Sequence, residues 1–194
     1  MMNKIQEIKA RLHGLTAAII LGLGAVSSGQ ALDFNKGEHV VFIGNALAER
    51  MQHHGWLESY IQGTMASKEL VFRNQGFGGD KVNNRPRNNG FPSADAYLEI
   101  SKADVILAFW GYNESFDNSP DAYMADLAKW VDETKEKKYN GKSAPRIVLL
   151  SPISHENLGK ANLPDGAANN ERLSKYTEVT RKVANEKGVD FVDL

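Results

Sequence analysis

The amino-acid sequence predicts an α/β protein, a three-layer α/β/α sandwich on a five-stranded parallel sheet. Three observations point there. Short apolar runs recur five times from residue 38 onward. Segments with helical spacing or polar loops separate them. The runs are near-continuous rather than alternating, as strands covered on both faces are.

Residues 39–43 (HVVFI) form the first expected strand, stopped by Gly44. Residues 46–65 then place Leu47, Met51, Leu57, Tyr60 and Ile61 at roughly helical spacing, with Gly55 as a weak point. A second strand is expected at 69–73 (ELVFR), followed at 74–90 by a loop rich in Gly, Asn and Arg. Ser93 is a candidate N-cap for a short helix over 93–101. Residues 104–110 (DVILAFW) give the clearest strand. The helix expected at 121–138 sets Tyr123, Leu127, Trp130 and Val131 on one face, and its DETKEKK end reads as a solvated face. A fourth strand follows at 146–150 (RIVLL). A polar amphipathic helix at 169–187 stops at Gly188, and residues 190–194 (DFVDL) open a fifth strand.

The length of 194 residues suits one domain, and 42% apolar with 24% charged residues is enough to build a globular core. A formal net charge of −1 gives no electrostatic reason for a nucleic-acid partner. The absence of cysteine excludes disulfides, thiolate metal sites and a cysteine nucleophile. The first 31 residues differ from the rest. Lys4, Lys9 and Arg11 precede an apolar run at 15–26, and Gly29 and Ala31 stand at the −3 and −1 positions of a cleavage site. This is the pattern of a signal peptide over 1–31, too short to span a bilayer, and it implies export to a periplasm or the exterior. The domain proper is expected at 38–194.

In a doubly wound sheet, ligands sit outside the carboxyl ends of the strands. There the sequence offers Gly44-Asn45-Ala46, Gly78-Gly79-Asp80 and Gly111-Tyr112-Asn113-Glu114, in that order. These three segments resemble the first three blocks of the SGNH/GDSL hydrolases. The resemblance runs from about residue 38 to the end and implies a flavodoxin-like fold and esterase chemistry. It implies that Ala46 occupies the place of the nucleophilic serine. It also implies that the backbone N–H of Gly79 and the side chain of Asn113 occupy oxyanion-hole positions. Donors aimed at developing negative charge are what acyl transfer requires.

Two departures bear on activity. A methyl group at position 46 cannot attack a carbonyl. The Asp-x-x-His block that follows the family's fifth strand is not present, and Asp193 has no such partner. A chain ending just inside an apolar strand reads as incomplete at its C-terminus, with room for further domains beyond.

Other residues on the same edge are candidate ligand contacts. Asn45 and Asp80 flank the motif positions, although an aspartate placed like Asp80 more often holds its own loop through backbone N–H bonds than acts chemically. Arg85 and Arg87 flank Pro86 and suit a carboxylate, sulfate or sugar. Glu114 follows Asn113 and is expected to orient it or to act as an acid or base. His155 follows the fourth strand and is a ligand contact or a surrogate base. Phe109, Trp110 and Tyr112 read as core and cleft wall. His53 and His54 lack a third ligand at metal-binding spacing, and no cofactor is expected. The expected function is therefore an esterase-like domain without ester hydrolase activity, binding a small-molecule, glycan or acyl ligand at the old cleft. Two other readings stand beside it: a structural or interaction module of a larger exported protein, and an active hydrolase with a rebuilt site.

Overall fold

The computed structural model describes residues 32–194. The expected signal peptide lies outside them. Among the described residues no helix is long and apolar enough to cross a membrane.

Five strands, β1 (His39–Gly44), β2 (Val71–Asn74), β3 (Val105–Phe109), β4 (Arg146–Leu150) and β5 (Asp190–Val192), form one sheet in the order β2-β1-β3-β4-β5. All four pairings are parallel. The predicted sandwich sheet is what the chain builds. Five α-helices accompany it: α1 (Ala46–His54), α2 (Trp56–Thr64), α3 (Ala94–Ile100), α4 (Pro120–Lys135) and α5 (Ala167–Lys187).

Strand period divides the apolar side chains between two faces. Val41 and Ile43 of β1, Ile106 and Ala108 of β3, and Ile147 and Leu149 of β4 face one layer. There they meet Leu98 of α3, Leu127, Trp130 and Val131 of α4, and Tyr176, Val183 and Ala184 of α5. Val40, Phe42, Val105, Leu107, Phe109, Val148 and Leu150 alternate with them and are also buried. α1 packs on β1 and β2.

Three elements differ from the sequence reading. The helix expected over 46–65 is two helices, because Gly55 at φ +59° ends α1 in a left-handed cap and Trp56 begins α2. No residue of α2 is fully buried, and Tyr60, expected on the packed face, is 70% exposed. β2 starts at Val71 rather than 69, since Glu69 takes φ +51° after a 3-10 turn at Ala66–Lys68. β5 stops at Val192, beyond which the Leu194 N–H donates to Ser151 Oγ.

The sheet order reverses direction between β1 and β3. Connections from β1 lead to β2 on one side, and β3, β4 and β5 build the other. That switch point opens a crevice at the C-terminal ends of β1 and β3, which is where the candidate residues stand.

Candidate functional site

β1 delivers the first segment. Gly44 has φ +125°, and a Cβ there would lie 2.3 Å from the Phe109 carbonyl oxygen. Only glycine lets the end of β1 lie this close to β3. Asn45 is buried, and its side chain accepts from the Leu47 N–H at 3.3 Å, capping α1. It caps the helix start and also lines the cleft at Ala46. Ala46 is the first residue of α1 and is exposed, so its methyl stands at the open edge of the sheet.

The loop after β2 is strapped onto α1. The Asn74 amide donates to the Ala48 carbonyl at 2.6 Å, and the Gly78 N–H donates to Glu49 at 2.7 Å. The Phe77 N–H donates to the Gly44 carbonyl at 2.9 Å. Gly79 has φ +90°, with nothing within 4 Å of where a Cβ would be. Glycine is needed there for backbone conformation, not for space. Asp80 is buried and accepts two bonds of 2.9 Å from Arg87, whose guanidinium also lies 4.7 Å above the Phe77 ring. The hydrogen bond from Asp80 raises the Arg87 pKa, outweighing partial burial. Arg85 is half-buried, 3.8 Å from Asp95, and does not join this pair.

The loop after β3 carries Tyr112, Asn113 and Glu114. The Asn113 amide donates to the Asp80 carbonyl at 2.8 Å, joining the two loops that bear the expected oxyanion positions. One of its two amide protons is left for other partners. Glu114 does not orient Asn113. Its buried carboxylate accepts from the Gly111 N–H at 2.9 Å and the Val82 N–H at 2.8 Å. It is a staple beneath the cleft, with its pKa raised by burial against the pull of the backbone donors.

β4 supplies His155. Its Nε2 is 2.9 Å from Tyr112 Oη, and the two rings stack at 5.6 Å. Its Nδ1 is 3.2 Å from Asn169 Nδ2. Arg172 donates to Asn169 Oδ1 at 2.7 Å, and an arginine can only donate, so the Asn169 amide must present its NH₂ to the histidine. Nδ1 is then the acceptor, Nε2 carries the proton and donates to Tyr112, and the tyrosine O–H is left free to donate elsewhere. Asn170 holds the backbone of His155 at both its N–H and its C=O.

A cleft of about 320 Å³ is lined by Ala46, Arg50, Tyr112, Ser151, Pro152 and His155, among others. The structure thus brings Ala46 and His155 into one cavity. Neither Gly79 nor Asn113 lines it, although Asn113 follows Tyr112, which does, and Arg85, Arg87 and Asp80 line a second cavity that meets the first at Trp110. Tyr112 was expected only as a wall, and Asn169 and Arg172 were not expected at all. Tyr112 and Asn169 meet His155 from 43 and 14 residues away, and only the Arg172–Asn169 pair is local, so no sequence pattern ties the set to the histidine. His53 and His54 are exposed at the end of α1. No group of metal-binding side chains occurs among the described residues.

Comparison with known proteins bears on this arrangement. No curated protein matches the chain. Among solved structures, the fold is similar to that of BT4096, a gut microbial diltiazem-metabolizing enzyme (TM-score 0.66, 17% identity, covering 85% of this chain and 38% of that one). It is also similar to a catalytic mutant of Axe2, an acetylxylan esterase from Geobacillus stearothermophilus (TM-score 0.60, 18% identity, 84% and 78%). A putative GDSL-like lipase from Parabacteroides merdae is a third (TM-score 0.63, 19% identity, 82% and 78%). This chain spans well under half the length of the first. The model of the GDSL-like lipase/acylhydrolase family matches residues 42–194, a stretch that holds the four strand-end segments described above. By that match and the fold that carries it, the chain belongs to the GDSL-like lipase/acylhydrolase family.

Proposed function

We propose that this hydrolase-type domain binds an acylated ligand, such as an acetylated sugar, at the Ala46 cleft without hydrolysing it. The observation that carries the reading is the exposed Ala46 methyl at the start of α1, in a chain that keeps Gly79 and Asn113 on two loops joined by the Asn113–Asp80 bond. The same edge retains hydrogen-bond donors, while position 46, at the start of α1, offers a methyl in place of an attacking oxygen. Catalytic mutants of the similar Axe2 replace a serine, an aspartate or a histidine by alanine, which is the kind of substitution that position 46 carries naturally here. Fold alone does not confer the activity.

The test pairs hydrolysis with binding. Purified protein mixed with p-nitrophenyl acetate is expected to release no more nitrophenolate than a heat-denatured control. Saturation-transfer NMR with acetylated xylobiose is expected to show contacts at the acetyl methyl that weaken in Asn113→Ala. Turnover above the control, or a covalent adduct with a phosphonofluoridate in the cleft, defeats the reading.

A second reading, a rebuilt hydrolase, is favoured by one observation: His155 shares the cavity with Ala46 and has a fixed tautomer. With Nδ1 occupied by Asn169 and Nε2 protonated, however, neither nitrogen is free to take a proton from water. That is why the binding reading ranks first. We also infer export from the 1–31 pattern. Mass spectrometry of the secreted protein is expected to find an N-terminus at Leu32.

A further inference from the structure

A larger cavity, about 630 Å³, opens between the loop after β2 and α3. It shares Trp110 with the Ala46 cleft but includes neither Ala46, Tyr112 nor His155. Its floor is apolar, formed by buried Ile43, Leu98 and Trp110. Its rim carries Phe77, Phe91 and Ile100, which are 52%, 62% and 66% exposed. Single exposed apolar residues are ordinary; three around one concavity mark a surface that gains by being covered. The volume is that of a small-molecule site.

The charge is one-sided. Arg73, Arg85, Arg87 and Asp80 are the charged residues lining the cavity among those described. Arg87 and Asp80 neutralise each other through their paired bonds. Arg73 donates to the carbonyl of its neighbour Phe72 and makes no ion pair among the described residues. Arg85, with a side chain only 19% exposed, has Asp95 at 3.8 Å, beyond hydrogen-bond reach. Arg73 and Arg85 thus line an aromatic and aliphatic groove without a hydrogen-bonded carboxylate, Arg85 having only the longer ion pair to Asp95. Planar guanidinium groups suit carboxylate, sulfonate and phosphate oxygens.

We propose that this groove is a second binding site, for a small amphipathic anion. An aryl or acyl body lies over Phe77, Phe91 and Ile100, and its anionic head meets Arg73 and Arg85. A cationic or sugar-only ligand leaves either the charge or the apolar rim unmatched.

The probe is 8-anilinonaphthalene-1-sulfonate, compared with N-phenyl-1-naphthylamine, which has the same rings and no sulfonate. Titration of the full chain by fluorescence is expected to show saturable binding of one sulfonate. Its affinity should exceed that of the neutral analogue by about tenfold, as a charge-assisted contact implies. Arg85→Gln and Arg73→Gln should remove most of that difference and leave the neutral probe unchanged. Ile100→Asp, on an exposed position, should weaken both. Amide shifts in the NMR spectrum should cluster at Gly76, Tyr97 and Ser101. Equal affinity for the two probes, an unchanged affinity in Arg85→Gln, or shifts confined to the Ala46 cleft would each overturn the proposal.

Discussion

Glu114 shows how one side chain can be misplaced by adjacency. It follows Asn113, yet its carboxylate turns beneath the loops and accepts from Gly111 and Val82. Burial raises its pKa, so the folded state holds its proton more tightly than the unfolded chain. Such a group gives its full stabilisation below the ordinary glutamate pKa and loses it as pH rises through the raised one. Glu114→Gln removes one acceptor and cannot titrate. Urea melts are expected to show it less stable by about 1–3 kcal/mol at low pH, with the gap narrowing as pH rises. A gap that widens with pH contradicts the buried-staple account. The relay at His155 allows a second residue-level test. Asn169→Asp replaces the donor facing Nδ1 by an acceptor, so the proton should move to Nδ1. Nε2 would then accept from Tyr112. Long-range proton–nitrogen NMR correlations of the neutral ring distinguish the two tautomers, and an unchanged Nε2–H form in the variant removes the relay. Neither role was legible in sequence, because each depends on a partner placed by the loops rather than by spacing.

At the scale of elements, the strands and long helices were legible because period and caps agree. Pro120 opens α4 at its first turn and Gly188 closes α5, where the sequence put those boundaries within a few residues. The second half of the predicted first helix was not legible in its packing, since a 3.6-residue apolar spacing also fits α2, which buries none of its residues fully. How α4 and α5 are tied is likewise a tertiary fact. Thr180 donates to the Tyr176 carbonyl at 2.8 Å, so its oxygen accepts from Tyr123 at 2.9 Å. Both side chains are fully buried, and burial raises the Tyr123 pKa strongly. The two ends of this bond are unequal. Tyr123→Phe removes a donor and leaves Thr180 still bonded, at a cost of about 0.5–1.5 kcal/mol. Thr180→Val strands the tyrosine hydroxyl in the core, at about 1–3 kcal/mol. Chemical denaturation of both variants tests the order. Equal costs would mean that the hydroxyl finds another acceptor.

For the whole molecule, the spatial order of the strands decides where chemistry can sit; the five apolar runs marked the strands, and their pairing sets the order. The reversal between β1 and β3 brings Gly44, Gly79 and Asn113 to one edge, although they span some seventy positions in sequence. What sequence alone did not reveal was that this edge holds two cavities, both lined by Trp110 and otherwise by residues from segments far apart in the chain. The two glycines separate what the fold needs from what the site needs. An alanine methyl at 44 would meet the Phe109 backbone at 2.3 Å, between paired strands that cannot yield independently. Gly44→Ala therefore combines a forbidden φ with a core clash, each costing about 1–3 kcal/mol. It is expected to lower the melting temperature of the entire domain, by several degrees or more. Gly79→Ala bears only the conformational cost, since no atom lies within 4 Å of the new methyl. Its loop should shift while the sheet stays intact. The expected pair of results is a large thermal loss with Gly44→Ala, and a clearly smaller loss with weakened ligand contacts with Gly79→Ala. If Gly79→Ala instead unfolds the protein as readily as Gly44→Ala, the loop after β2 is part of the folding core and not a surface carried by it.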